Sequence, residues 1–322
     1  MSQTLGEFDL IRRYFERPVR RAALGVGDDC ALLTLSPGMQ LAVSTDMLVE
    51  GRHFLTTVPP RRLGHKALAV NLSDLAACGA RPLAFTLALS LPRADETFVA
   101  GLAEGLFALA EAHDIELVGG DTTAGPLNLC ITVMGEVPAG QALLRSGARP
   151  GDELWVSGQL GDARLALEVF RGRLALDAVA MEQVRTAMEQ PQPRVQLGMA
   201  LRGVASAAID LSDGLIGDLG HILQRSGVGA QVELVRLPHS AVLAAQPPAL
   251  REECLLVGGD DYELLFCAPA GRHDAVLEAS RLSGVPVQCI GHITARPGLC
   301  VVDAAGQAVP LRRLQAFDHF KS

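Results

Sequence analysis

Apolar runs of strand length in this chain are repeatedly set against glycine and aspartate: GVGDDCALL (25–33), STD (44–46), VGGDTT (118–123), IDLSDGL (209–215) and GGDDYELLF (258–266). Runs of this length bounded by Gly and Asp read as strands with turns at their ends. The chain is therefore expected to build sheets that gather carboxylates at strand ends, where ligand sites of open sheets tend to lie. Taken singly, each Gly-Asp step also reads as an ordinary surface turn, because both residues favour turns. Adjacent acids such as Asp28 and Asp29 nonetheless repel, and an apolar setting makes them costly unless a positive partner arrives.

A length of 322 residues exceeds what one hydrophobic core usually supports, so two domains are expected. The polar break RSGARPGD (145–152) is the natural boundary, giving an N-terminal domain over 1–148 and a C-terminal domain over 149–322. Before it, alternation predicts a strand over 39–45 with Leu41, Val43 and Thr45 on one face, ending in Ser44-Thr45-Asp46. Helices are predicted over 60–79 and 95–113, and strands over 115–118, stopped by Gly119-Gly120-Asp121, and over 127–137. After the break come strands over 153–156, 205–209 and 264–268, with a helix ending near 170. Each half thus contains an apolar strand expected to end in a Gly-Gly-Asp turn. The fold class that follows is α+β, sandwich-like, with mixed sheets and helices in both domains.

The formal net charge of −8 weighs against a nucleic-acid partner, which would need a basic face. No apolar stretch is long enough to span a bilayer, and the first residues lack a secretory pattern. Seven cysteines, odd in number and scattered, suggest reduced thiols in a cytoplasmic protein. Only two lysines occur, Lys66 and Lys321, so neither the phosphate-binding P-loop nor a protein-kinase lysine motif is present.

Asp74 sharpens the count of acids. Positions 63, 67, 70 and 74 share one face of the predicted 60–79 helix, placing Asp74 on the stripe of Leu63, Ala67 and Val70, where a lone carboxylate is expensive. Backbone donors or a cap could satisfy it, just as Asp213 could serve as a helix N-terminal acid. Nine such acids with so few lysines are resolved most simply by a divalent metal. Oxygen ligands without Cys or His pairs point to Mg²⁺ or Mn²⁺, and Mg²⁺ on carboxylates usually binds substrate phosphates as well. Arg145, in its Gly-containing loop, is a candidate phosphate contact or a plain linker arginine.

In order along nearly the whole chain, GVGDDCALL, STDMLVEGRHF (44–54), NLSDLAACGARP (71–82), VGGDTT, SGQLGDA (157–163), IDLSDGL, GGDDYELLF and AFDHF (316–320) resemble the thiamine-monophosphate kinases. That family belongs to a superfamily with aminoimidazole ribonucleotide synthetase and selenophosphate synthetase. The resemblance implies ATP-dependent phosphorylation of thiamine monophosphate by direct in-line transfer. It also implies a homodimer whose N-terminal domains pair their sheets. It further implies Asp29, Ser44, Thr45, Asp46, Asp74, Asp121, Asp210 and Asp213 as metal ligands, and Gly120, Asp121, Arg145 and Ser212 as ATP contacts. His53, the pair Asp260 and Asp261, and Phe317 are implied on the substrate side. The family commonly reads GGEDYE where this chain has GGDDYE, so either Asp260 or Asp261 could make that contact. Two alternatives stand beside this reading: another ATP-using enzyme of the superfamily, and a non-catalytic regulator that binds metal or nucleotide.

Overall fold

The structure, a computed structural model, describes residues 6–310. Its chain divides into two compact units, one holding Ala80–Gly140 with the chain before Ala76, the other Ala76–Gly79 with the chain from Gln141 onward.

The first unit runs α1 (Glu7–Leu10), β1 (Met39–Val49), α2 (Pro60–Ala77), β2 (Arg81–Leu91), α3 (Glu96–Ala112), β3 (Glu116–Ala124) and β4 (Asn128–Pro138). Its sheet has the order β1-β4-β2-β3, mostly antiparallel, with β2 and β3 parallel. A parallel pair needs a long crossover, and α3 supplies it. Asp95 caps α3 by accepting the Phe98 N–H at 3.1 Å. α2 is buried on nearly every side, through Leu68, Leu72 and Leu75 as well as through the expected stripe of Leu63, Ala67 and Val70.

In the second unit the order is β5 (Asp152–Ser157), α4 (Asp162–Phe170), α5 (Ala178–Glu189), α6 (Val195–Ala200), β6 (Ala207–Asp210), α7 (Leu215–Ser226), β7 (Gly229–Glu233), α8 (Ala241–Ala244), α9 (Pro248–Val257), β8 (Leu264–Pro269), α10 (His273–Ser283), β9 (Val287–Thr294) and β10 (Gly298–Val302). Its six-stranded sheet is ordered β10-β7-β9-β5-β8-β6 and is antiparallel except for the pair β10 and β7. Both sheets are mixed and carry helices, so the α+β class holds.

Two strand ends differ from expectation. β1 does not stop at Ser44-Thr45-Asp46 but continues to Val49, paired with β4 along its whole length. Polar residues are tolerated in mid-strand because Ser44 and Asp46 meet polar groups of α2. β3 likewise runs through Gly119-Gly120-Asp121 to Ala124. Gly120 is needed inside the strand rather than at a turn: its φ is +150°, and a Cβ there would collide with the Leu87 carbonyl of β2. The neighbouring register shift at Phe85 and Thr86 is a bulge of the kind that brings two backbones close.

Candidate functional site

Two motifs meet at one point of the N-terminal unit. Side chains of β1 alternate, so Ser44 and Asp46 share a face, and residues 71 and 74 of α2 lie one turn apart on a single helix face. The two periodicities mesh. Ser44 Oγ donates to Asp74 Oδ2 at 2.5 Å, and the Asp46 N–H donates to Asn71 Oδ1 at 3.0 Å. Asn71 is 1% exposed, and its amide group also donates to the Ala67 carbonyl. This residue was not among the sequence candidates, although its place three residues before Asp74 on the helix is a signal that could have found it. Asp74 itself is half-buried, on the stripe expected for it.

Thr45 and Asp121 do not join this group. Thr45 points to the opposite face, where its hydroxyl shares a hydrogen bond with Thr132 at 2.8 Å. Register puts Asp121 in a row with Ala88, Cys130 and Met47, whereas Asp46 lies in the row of Ile131, Leu87 and Gly120. Asp46 and Asp121 therefore face opposite sides of the sheet, three strand spacings or about 14 Å apart.

Asp29 stands exposed in a loop closed by an antiparallel bridge between Leu24 and Leu32, and its N–H bonds to Asp28 Oδ1 at 2.9 Å. Two buried glutamates outside the recognised motifs brace the stems of this loop. Glu116 accepts the N–H groups of Arg20 and Arg21 at 2.9 and 3.1 Å. Glu136 accepts the Ser36 N–H and hydroxyl at 3.1 and 3.0 Å and pairs with Arg81. Burial acts against the charge of both carboxylates, but these donors outweigh it and hold both below the usual range. His53, half-buried after β1, accepts the Val49 N–H at Nδ1 at 3.0 Å, so the proton of the neutral ring sits on Nε2.

The C-terminal unit brings the IDLSDGL and GGDDYELLF motifs side by side. Strands β6 and β8 pair, and the ladder continues past their ends: Leu211 N–H bonds to the Glu263 carbonyl, Tyr262 N–H to the Leu211 carbonyl, and Asp260 N–H to the Ser212 carbonyl, at 2.8 to 2.9 Å. Asp260 and Tyr262 adopt φ of +70° and +51° to make this possible. Asp210 ends β6 and is buried, while Ser212 and Asp213 are half-buried. Asp261 turns its carboxylate onto the Gly161 N–H, at 3.0 and 3.1 Å, and burial pushes it well above the usual carboxylate range. The SGQLG turn before α4 is therefore already filled by a carboxylate at its N–H end. Arg145 is exposed, in a loop whose Gly147 and Ala148 N–H groups bond to Ser226 Oγ at 3.2 Å. Phe317 lies outside the described residues.

The donors fit a hard divalent cation: a hydroxyl and carboxylates in the N-terminal unit, and the carboxylates of Asp210 and Asp213 in the other. Among the described residues no three His, Cys, Asp or Glu side chains gather into a metal cage.

The model of the family "AIR synthase related protein, N-terminal domain" matches residues 27–137, and that of "AIR synthase related protein, C-terminal domain" matches residues 149–303. The thiamine-monophosphate kinase of Escherichia coli strain K12 is 47% identical over 322 residues, covering 98% of each chain. A solved thiamine-monophosphate kinase from Stenotrophomonas maltophilia K279a superposes with a TM-score of 0.85 at 45% identity, over 93% of this chain and 95% of that one. Another solved structure, "AaThiL complexed with AMPPCP and TMP", gives a TM-score of 0.77 at 30% identity over 89% of each chain. With identity of this depth running through both units and every motif in order, the chain belongs to the thiamine-monophosphate kinase family.

Proposed function

We propose that the chain transfers the γ-phosphoryl group of ATP to thiamine monophosphate, giving thiamine diphosphate and ADP. The observation that carries this reading is the junction of β1 and α2, where the STD and NLSDLAACGA motifs present Ser44, Asp46 and Asp74 together. Asp29 is also assigned to metal binding, as are Thr45 and Asp121 at a position apart from that group, because they face the other side of the sheet, and Asp210 and Asp213 in the C-terminal unit. Gly120, Asp121, Arg145 and Ser212 are assigned to ATP. His53 and Phe317 are assigned to the acceptor. Of the acidic pair, Asp260 is assigned to the acceptor, because Asp261 is committed to Gly161.

Both reactants are anionic and repel before reaction. Bound divalent cations, Mg²⁺ or Mn²⁺, supply the charge neutralisation that lets them meet and stabilise the transferred group. The acceptor is a phosphate monoester whose second pKa is about 6, so its oxygen is already ionised near neutral pH. No general base is required, and the work left to the side chains is alignment. His53 is suited to orienting the acceptor, its ring being held in place by the Val49 N–H at Nδ1.

The deciding experiment supplies ATP with thiamine monophosphate and measures thiamine diphosphate and ADP. Chiral γ-labelled ATP should give inversion at phosphorus, as one in-line step demands. Retention would replace direct transfer with a phosphoenzyme. Turnover of an aminoimidazole precursor without turnover of thiamine monophosphate would favour another activity of the superfamily.

A homodimer is proposed as the working form, in the cytoplasm. The sheet of the N-terminal unit exposes Leu41, Val43 and Met47 on β1, at 49%, 56% and 53%. Apolar side chains in such a row mark an association surface. None of the seven cysteines forms a disulfide, in keeping with a reducing compartment. Sedimentation should find the native protein dimeric and Val43→Glu monomeric. A native monomer, or an unaffected variant, would refute the assignment of this face.

A further inference from the structure

The turn between β6 and α7 carries Ser212 and Asp213, yet what shapes it is a residue of the helix behind. Asp218 is 3% exposed, and its single oxygen Oδ2 accepts three consecutive backbone N–H groups: Ser212 at 3.0 Å, Asp213 at 3.1 Å and Gly214 at 3.2 Å. Three successive N–H groups converge on one atom only when the backbone curls into a nest. Gly214, at φ +106°, supplies the required conformation and, as N-cap of α7, has no side chain with which to cap. The cap therefore comes from inside the helix, while Asp218 N–H makes the ordinary helical bond to the Gly214 carbonyl at 3.0 Å.

Every N–H of residues 211–214 is accounted for, because that of Leu211 goes to the Glu263 carbonyl. A curl of N–H groups at a helix start is a common phosphate cradle. Here a carboxylate of the protein already fills it. Phosphate oxygens cannot use these amides, so this turn engages the nucleotide through the side chains of Ser212 and Asp213.

We infer that Asp218 is a positioning residue for phosphoryl transfer, holding the 211–214 turn in the one shape that presents Ser212 and Asp213 to the nucleotide and its cation. It touches neither. This inference rests on the kinase reading for its kinetic consequences, but its structural core can be measured without substrate.

Two measurements test it on the full-length protein. Amide hydrogen exchange should quicken selectively at Ser212, Asp213 and Gly214 in Asp218→Ala, with the β5, β8 and β9 amides unchanged. The same variant should raise the KM for ATP and the Mg²⁺ activation constant, each by about 10–100-fold as for other residues that orient metal ligands. The KM for thiamine monophosphate should change less, since of the residues assigned to that substrate only Asp260 adjoins this turn, through its N–H to the Ser212 carbonyl. Asp218→Asn keeps an acceptor oxygen at the same reach and should recover most of the loss. Unchanged exchange at the three amides overturns the inference. So does faster exchange throughout the C-terminal unit with unaltered ATP and Mg²⁺ constants. If Asp218→Ala does not fold, exchange at the same three amides in Asp218→Asn, relative to the rest of α7, decides in its place. A native protein that fails to phosphorylate thiamine monophosphate would instead refute the kinase reading, and the exchange data would still settle what Asp218 does.

Discussion

Asp74→Asn is expected to lower turnover by more than about 100-fold while leaving the protein folded, because loss of a metal ligand should exceed the 10–100-fold effect typical of partners one shell further out. The substitution is nearly isosteric, and the introduced amide would still offer an oxygen to the Ser44 hydroxyl, which now donates to Asp74 at 2.5 Å. What disappears is the charge. The site would then lose its hold on a cation while its strand and helix remain joined through Asn71 and the Asp46 N–H. Calorimetry supplies a readout independent of turnover: ADP binding by the native protein should strengthen on adding Mg²⁺, and by the variant much less so. Native-like turnover at limiting Mg²⁺ would remove Asp74 from the metal site. Thermal stability without metal should hold or rise, since a half-buried carboxylate near Asp46 is relieved.

That prediction was partly legible in the residues and partly not. Helical spacing alone put Asp74 on the buried stripe of α2, and the alternation of β1 put Ser44 and Thr45 on opposite faces. What spacing could not reveal was the register between the strand and the helix, which brings Ser44 to Asp74 and Asp46 to Asn71. Tertiary contacts of that kind leave no local pattern. The same limit explains the strand ends: Gly119 and Gly120 read as a turn because Gly usually breaks strands. Only the approach of the Leu87 carbonyl explains why Gly120 belongs inside one. β2 went unread for a different reason. Its RPLAFTLALSL run begins with Pro82, which reads as a stop for the preceding helix, and its near-continuous apolarity carries no period of two.

Acids outside the recognised motifs, or spare within them, were the harder class. Glu116 and Glu136 bind backbone N–H groups of another segment and Asp218 those of the turn that starts its own helix, and from the sequence alone all three are indistinguishable from surface acids. They also temper the first argument from composition. Few lysines do not leave all the carboxylates to metal, since the backbone and the arginines neutralise several of them.

Glu263, the last acid of GGDDYE, belongs with the braces, and its loss should be the most damaging to stability. The carboxylate is 6% exposed and receives Arg194 in fork geometry, Nε at 2.7 Å and Nη2 at 2.5 Å, together with the Ser157 hydroxyl at 2.5 Å. Ser157 Oγ in turn accepts the Leu264 N–H at 2.8 Å, so one cluster locks β5, β8 and the start of α6. Gly158 must be glycine here, because a Cβ would strike the Glu263 carboxylate. Burial alone would lower the Arg194 pKa, but the contact with Glu263 raises it on balance, so the arginine stays charged. Glu263→Gln would strand that charge and turn an amide donor toward another donor. Stranding a buried charge costs about 3–5 kcal/mol, and the 22% exposure left to Arg194 argues for the lower end. Trp155, the only tryptophan, is 2% exposed on β5, with its ring 6.4 Å from Phe266 of β8. Its fluorescence therefore reports unfolding of this unit, apart from the other unit, in a chain too large to be treated as one transition. In urea the variant should lose about 3 kcal/mol, and Glu263→Gln with Arg194→Met should recover part of it by removing the stranded cation. A loss below about 1 kcal/mol would mean that water reaches Arg194 and the cluster is no brace, because exposed ion pairs are worth only that much.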